Sequence, residues 1–169
     1  MSYRSSNLEN MSAYKLDAVD IGLLEALQAD AKQTNKQLSL QLNLSVTAIF
    51  ERIKRLEREG IIKQYVALLD KNKVHRGYTV FCQIKLKEHL QKSIHEFERE
   101  VVKLPEVAEC FHLSGEYDYL LKIHVQDMQH YRTFMVNKLT TLRHIGSTQS
   151  AFTISEVKNQ TAVSLDETS

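Results

Sequence analysis

The chain has 169 residues, 43 % of them apolar and 25 % charged, and a net charge of +1. That make-up fits an ordinary globular protein with one or two modest cores, domains running about 100–200 residues each. It excludes a strongly basic coat for nucleic acid and a disulfide scaffold, since only Cys82 and Cys110 are present and they form no CxxC pair.

Residues 1–14 are polar and unpatterned and are expected to form a tail. Asp17 then reads as the N-cap of a first helix, with Asp20 near its positive end and Ile21, Leu24, Leu27 and Ala31 as its apolar stripe. Thr34 and Gln37 match a capping box that opens a short second helix with Leu38 and Leu42 inward. Asn43-Leu44 gives a tight turn, Ser45 caps a third helix, and Gly60 suits the left-handed residue that ends it. Val46, Ile49, Ile53 and Leu56 form the inner stripe of that helix. Thr47, Glu51, Lys54, Arg55 and Arg58 stand opposite, with Arg52 on the shoulder. Three helices with a brief turn between the last two make a helix-turn-helix, whose final helix is shaped to enter a major groove. Ile61 to Val66 reads as a strand, so a small β-wing is expected. Over residues 45–63 the cations only slightly outnumber the acids, which fits a groove reader that places a few charges and works in two copies.

From Tyr78 the period changes to two. Tyr78, Val80, Cys82, Ile84 and Leu86 alternate with Thr79, Phe81, Gln83 and Lys85 in a first strand. A helix with Leu90, Ile94, Phe97, Val101 and Leu104 on one face runs up to Pro105, and Val107–Leu113 forms a second strand. After turn residues Ser114 to Tyr117, a third strand carries Tyr119, Leu121, Ile123 and Val125. Asp127 caps a helix with Met128, Tyr131, Met135, Leu139 and Leu142 inward, Gly146 breaks it, and Thr148–Val157 is the last strand. The order βαββαβ predicts a ferredoxin-like sandwich, so the fold class is α+β: a winged helix-turn-helix followed by a ferredoxin-like domain. Its uncovered sheet face carries Phe81, Leu120 and Ala151 beside Thr79, Gln83 and Thr153. A second copy covering that face would bury apolar area worth about 25 cal/mol per Å². The predicted division is 15–66 for the helical domain, 67–76 for a linker, 77–158 for the sandwich and 159–169 for a second tail.

An enzyme is the main rival class. The histidines make no HxH or HxxxH pair, and no nucleophile elbow, phosphate loop or carboxylate pair appears, so neither catalysis nor a metal is expected. The cysteines read as buried small hydrophobes. With no secretory segment and no apolar run near 18 residues, a cytoplasmic protein without membrane contact is expected.

Leu16-Asp-x-x-Asp20, Asn35-x-x-Leu38, and Leu44-Ser45-x-x-Ala-Ile-x-x-Arg52-Ile-x-x-Leu56-Glu-x-x-Gly60-Ile-Ile-x-x-Tyr65 together resemble the DNA-binding half of the Lrp/AsnC (feast/famine) transcription regulators. Glu109-Cys-Phe-His-Leu-Ser114-Gly115-Glu-Tyr-Asp118-Tyr-Leu-Leu-Lys122, with the Thr/Ser-containing last strand, resembles their effector domain. The likeness spans about residues 16–158, with Ser39 where Ala is usual and Ser150 where Thr is common. It implies double-stranded DNA as a partner, an amino acid as effector with no resident cofactor, and a homodimer that assembles into a tetramer or octamer. Ser45, Thr47, Arg52, Lys54 and Arg55 are the expected DNA-binding residues. The loop Ser114, Gly115, Glu116, Tyr117 and Asp118, with Thr148 and Ser150, is the expected effector site. There Asp118 would pair with an ammonium, while loop amides and the two hydroxyls would hold a carboxylate. Taken without the likeness, Gly115-x-x-Asp118 reads as a hairpin turn. The resulting expectation is an amino-acid-responsive transcription regulator, with a ligand-independent architectural DNA binder as the alternative.

Overall fold

Local signals start each of the first three helices in the computed structural model, which describes residues 15–165. Helix α1 spans Ala18–Ala29, α2 Asn35–Gln41 and α3 Val46–Arg58. The Asp17 carboxylate accepts from the Asp20 N–H at 2.8 Å, and Asp17 N–H donates back to Asp20. Thr34 and Gln37 form the second box as predicted. At the end of α3, Gly60 has φ of 71°, Gly60 N–H donates to Glu57 and Ile61 N–H donates to Leu56, each at 3.0 Å. This Schellman arrangement satisfies two orphan carbonyls and folds Ile61 back against Leu56.

The helices enclose Leu23, Leu24, Ala26, Leu27, Leu38, Ile49 and Leu56. Three details depart from the predicted stripes. Leu23 and Ala26 are buried where Ile21 and Ala31 were expected, because α1 ends at Ala29 and its inner face is broader. Val46 is 47 % exposed, since the first turn of α3 projects past the core. Ile61–Val66 forms no strand among the described residues: Ile61 and Ile62 pack on the helical core, and the segment has no ladder partner in this chain. Ser39 is buried, and its hydroxyl donates to the Lys36 carbonyl at 2.9 Å, so it stands inside the unit with its polar group satisfied.

One fully buried carboxylate ties α1 to α3. Asp20 accepts from Arg52 Nη1 at 2.6 Å and from Arg55 Nη2 at 3.2 Å, while the same Arg52 Nη1 reaches Asp17 at 2.8 Å. Burial alone would favour a neutral Asp17, but the Asp20 N–H and the Arg52 guanidinium outweigh it and hold the carboxyl below its ordinary 3.8.

The chain divides into two compact units. Among the described residues, one takes in those through Ala67 together with the segment 158–165, and the other is Leu68–Val157. The predicted tail at 1–14 lies outside the described residues, as do 166–169 of the second. The described part of that second tail contacts the helical unit: Val163 and the Gln28 side-chain amide exchange two hydrogen bonds at 2.7 and 3.1 Å, and Leu165 packs against the helical core. Within the 67–76 segment, successive turns bring Arg76 N–H to the Lys71 carbonyl at 2.8 Å, and Lys71 pairs with Glu156 at 2.5 Å.

The second unit holds β1 (Tyr78–Leu86), α4 (Gln91–Val101), β2 (Val107–His112), β3 (Tyr119–Val125), α5 (Met128–Asn137), a 3-10 turn at Leu139–Thr141 and β4 (Ile145–Phe152). The strand order is β2-β3-β1-β4, antiparallel throughout, so the predicted ferredoxin-like sandwich is what forms. One face buries Val80, Cys82, Ile84, Leu86, Tyr119, Leu121, Ile123 and Val125 against Phe97, Val101, Tyr131 and Phe134 of the helices. The other face carries Phe81, Phe111, Leu120 and Ala151, with Phe81 and Phe111 exposed. Helix α5 turns Phe134 inward and leaves Met128 half exposed, a phase the predicted stripe missed.

The last strand starts and stops earlier than predicted. Gly146 is inside β4, where a Cβ would meet the Lys85 carbonyl oxygen and Lys87 nitrogen at 3.2 Å beside a register shift. There the glycine serves close backbone approach and not helix termination. The ladder ends where Thr153 N–H reaches the Thr79 carbonyl, because β1 offers nothing further to pair with.

Asp20→Ala should lower the stability of the helical unit by about 3 kcal/mol, the usual cost of stranding the partners of a buried ion pair. A urea midpoint equal to wild type would show that the clamp is not structural. Asp17→Asn keeps a capping oxygen and removes the charge. Its deficit against wild type should be present above pH 3.8 and vanish as the pH falls through the depressed native value, followed by unfolding across an acid series.

Candidate DNA-reading helix and effector loop

Helix α3 sorts its polar side chains into two groups. Ser45 Oγ accepts from the Ala48 N–H at 3.1 Å and fixes the first turn. Thr47 and Lys54 are exposed on the outer surface with Glu51 and Arg58. Lys54 bonds Glu57 at 2.8 Å and lies 5.9 Å from the centre of the Phe50 ring. The Lys54 bond holds the Glu57 carboxyl below its ordinary value against partial desolvation, with the Tyr65 hydroxyl adding a second donor.

Arg52 and Arg55, both expected at DNA, are the two cations that grip Asp20. Arg52 is the more committed, bridging Asp17 and Asp20, and its charged form is favoured first by the Asp17 hydrogen bond, against burial. The structure therefore places Thr47 and Lys54 on the outward face of α3, with Ser45 capping its start, and turns Arg52 toward α1. The signal for that was present in the two acids at the start of α1, Asp17 at the N-cap and Asp20 in the first turn, but only the packing of the helices shows which cation they meet.

The candidate effector loop closes the β2–β3 hairpin. Leu113 N–H donates to the Asp118 carbonyl at 2.8 Å, and Gly115 has φ of 144°, a backbone state that L side chains rarely adopt. Ser114, Gly115 and Glu116 are exposed. The Asp118 carboxylate is engaged on both oxygens: Leu86 N–H reaches one and His89 Nε2 the other, each at 2.7 Å. Burial would raise its pKa, but those two donors prevail and keep it ionised below the usual range. Asp118 thus ties the loop to the end of β1, a role different from the expected one of pairing with a free ammonium.

Tyr117 donates its hydroxyl to Gln149 of β4. Thr148 and Ser150 do not join it. Their register partners are Ile84 and Cys82, so both point to the helix-covered face. There Ser150 Oγ lies 2.5 Å from the Tyr131 hydroxyl, whose pKa burial pushes up to about 12. A strand's parity decides this outcome: Gln149 shares a face with the loop, and its two neighbours cannot.

Two concavities lie elsewhere in this unit. One of about 330 Å³ is lined by Glu96, Arg99, Thr141 and Arg143, and one of about 270 Å³ by Lys71, Thr79, Thr153 and Glu156. Cys82 is buried, and burial followed by the nearby Glu98 pushes the Cys110 thiol up to about 11, so neither is a thiolate at neutral pH. His144 bonds Glu96 at 2.8 Å, and His124 Nδ1 lies 3.1 Å from the Thr79 hydroxyl. Among the described residues no cluster of three or more His, Cys, Asp or Glu could hold a metal, and no helix is long and apolar enough to cross a membrane.

Comparison with known proteins joins the two units in one family. A winged helix-turn-helix DNA-binding model matches residues 16–63, and the Lrp/AsnC ligand binding domain matches residues 79–163. The glutamate uptake regulatory protein of Zymomonas mobilis is 39 % identical over 155 residues, covering 92 % of this chain and 94 % of that one. The leucine-responsive regulatory protein of Escherichia coli is 38 % identical over 143 residues, covering 85 % and 87 %. Among solved structures, a transcriptional regulator from Neisseria meningitidis in complex with L-Met shows 35 % identity and a TM-score of 0.85, covering 89 % of this chain and 97 % of that one. Escherichia coli AsnC, at 24 % identity and a TM-score of 0.82, shares the fold over 88 % of this chain and 99 % of its own. The chain belongs to the Lrp/AsnC family of DNA-binding transcription regulators, with a helix-turn-helix unit and a ligand-binding unit of βαββαβ fold.

Proposed function

We propose that the protein reads double-stranded DNA through the outer surface of α3 and adjusts its affinity in response to an amino acid, the effect passing through the assembly of homodimers. The observation that carries the reading is the uncovered sheet face. Phe81 and Phe111, 36 % and 46 % exposed, sit with Leu120 and Ala151 on a surface that no element of this unit covers. A second copy packed there removes that apolar area from water at about 25 cal/mol per Å². Paired helix-turn-helix units then favour pseudo-palindromic sites with half-sites about 34–36 Å apart or a multiple of it.

At the DNA, Ser45 sets the start of the helix, Thr47 meets base edges or phosphate, and Lys54 supplies charge. Arg52 and Arg55 contribute by holding α3 in place. The effector reading draws on relatives named for leucine and glutamate uptake and on a neighbour solved with L-Met. Exposed amides at Ser114, Gly115 and Glu116 are suited to a carboxylate, and Asp118 keeps them presented by its bonds to Leu86 and His89. Completion by a neighbouring copy, in a tetramer or octamer, would make ligand binding and assembly one equilibrium.

A joint Thr47→Ala and Lys54→Ala change should weaken binding to duplexes selected by the wild-type protein by at least tenfold, and losing a phosphate contact should flatten the salt slope. Unchanged affinity would rule out this surface. Phe81→Asp should yield a monomer in sedimentation with an intact far-UV spectrum; a dimer that survives places the interface elsewhere.

A thermal-shift screen of the twenty amino acids should find one or a few that raise Tm, as ligands of the native state do. Asp118→Ala should abolish that shift while leaving ligand-free DNA binding in place. No stabilising amino acid at millimolar concentration would favour the architectural alternative.

A further inference from the structure

Along one edge of α3, Val46, Phe50 and Lys54 follow each other at four-residue intervals and so form a single ridge. Val46 is 47 % and Phe50 45 % exposed, and neither belongs to the buried cluster of the helical unit. Single exposed apolar residues need no explanation, but here two are adjacent on one ridge, beside the capped N-terminal turn that faces a groove. The Lys54 ammonium, 5.9 Å from the ring centre, lies against Phe50 as the third member of the ridge. Eight residues of helix span about 12 Å, the rise of three to four base pairs at about 3.4 Å each.

An apolar surface in a major groove has one kind of partner there. The C5-methyl of thymine is the apolar group on the major-groove edges; every other feature is a donor or an acceptor. The cation at the end of the ridge suits the same partner, since it reaches the phosphate side while the ring lies over the base edge. A second protein copy would need no cation beside the ring. From this we infer that Phe50, with Val46, is a specificity-determining residue that reads thymine methyl groups. The inference rests on the reading of α3 as the DNA-contacting helix and adds to it the base that the ridge selects.

The test uses full-length protein and a duplex selected by the wild type from a random library, prepared once with thymine and once with deoxyuridine at every thymine position. Wild type should bind the deoxyuridine duplex about fourfold more weakly for each methyl contacted, the equivalent of about 0.8 kcal/mol per buried carbon. Phe50→Ala, which keeps Val46, should lose most of that discrimination, and Phe50→Leu should keep more of it. Equal thymine-to-uracil ratios in wild type and Phe50→Ala, whether large or near one, would overturn the inference. So would a Phe50→Ala protein whose sedimentation changes while its ratio does not, because the ridge would then meet a second copy. The Thr47→Ala, Lys54→Ala protein separates the two levels. If it binds the thymine duplex as wild type does, the reading of α3 fails as a whole. If it binds weakly and Phe50→Ala keeps the wild-type ratio, only the methyl reading falls.

Discussion

The buried carboxylate of Asp20 is the constraint on which the helical unit turns. A fully buried acid is tolerated only when its charge is matched and its oxygens are occupied, and here two arginines from α3 do both. The consequence reaches beyond stability. Because Arg52 and Arg55 leave α3 on the side toward α1, the pairing fixes the rotation of α3 about its own axis. That rotation decides which residues face outward, so Thr47, Phe50 and Lys54 owe their exposure to an ion pair on the other side of the helix.

The sandwich unit is organised by a comparable choice between two sides. Strand parity sends Cys82 and Ser150 under the helices and Phe81, Gln83 and Gln149 to the open face. The loop at Gly115 belongs to the open side through Tyr117 and Gln149, and it is fastened to β1 through Asp118. A carboxylate with both oxygens bonded acts here as a brace. The turn itself rests on Gly115, whose φ of 144° is a backbone state that L side chains rarely adopt.

Caps, boxes and periodicities were readable because they are local: Asp17, Thr34, Ser45 and Gly60 each act within a turn of their own position. The order βαββαβ was readable for the same reason. What could not be read depends on partners distant in the chain. Arg52 looks like a groove-facing cation until α1 is placed against it. Gly146 looks like a helix stop until Lys85 and Leu86 crowd it. Ser150 looks available until the register pairs it with Cys82. The strand reading of Ile61–Val66 departs for another reason: the segment has strand composition, but a strand needs a second strand to pair with. In the candidate site, the position of the loop was legible and the use of its carboxylate was not.

The return of the chain to the helical unit after Val157 means that this unit is assembled from two separated stretches of sequence, with the ligand-binding unit inserted between them. A protease nick in the turns around Asp70 to Arg76 would cut one of two covalent crossings. Among the described residues, the Gln28–Val163 bonds and the Leu165 contact would then join the piece carrying α1 to α3 to the segment after Val157. The nicked protein becomes a pair of complementing fragments, and replacing Val163 and Leu165 in it shows what these residues contribute to the DNA-reading unit.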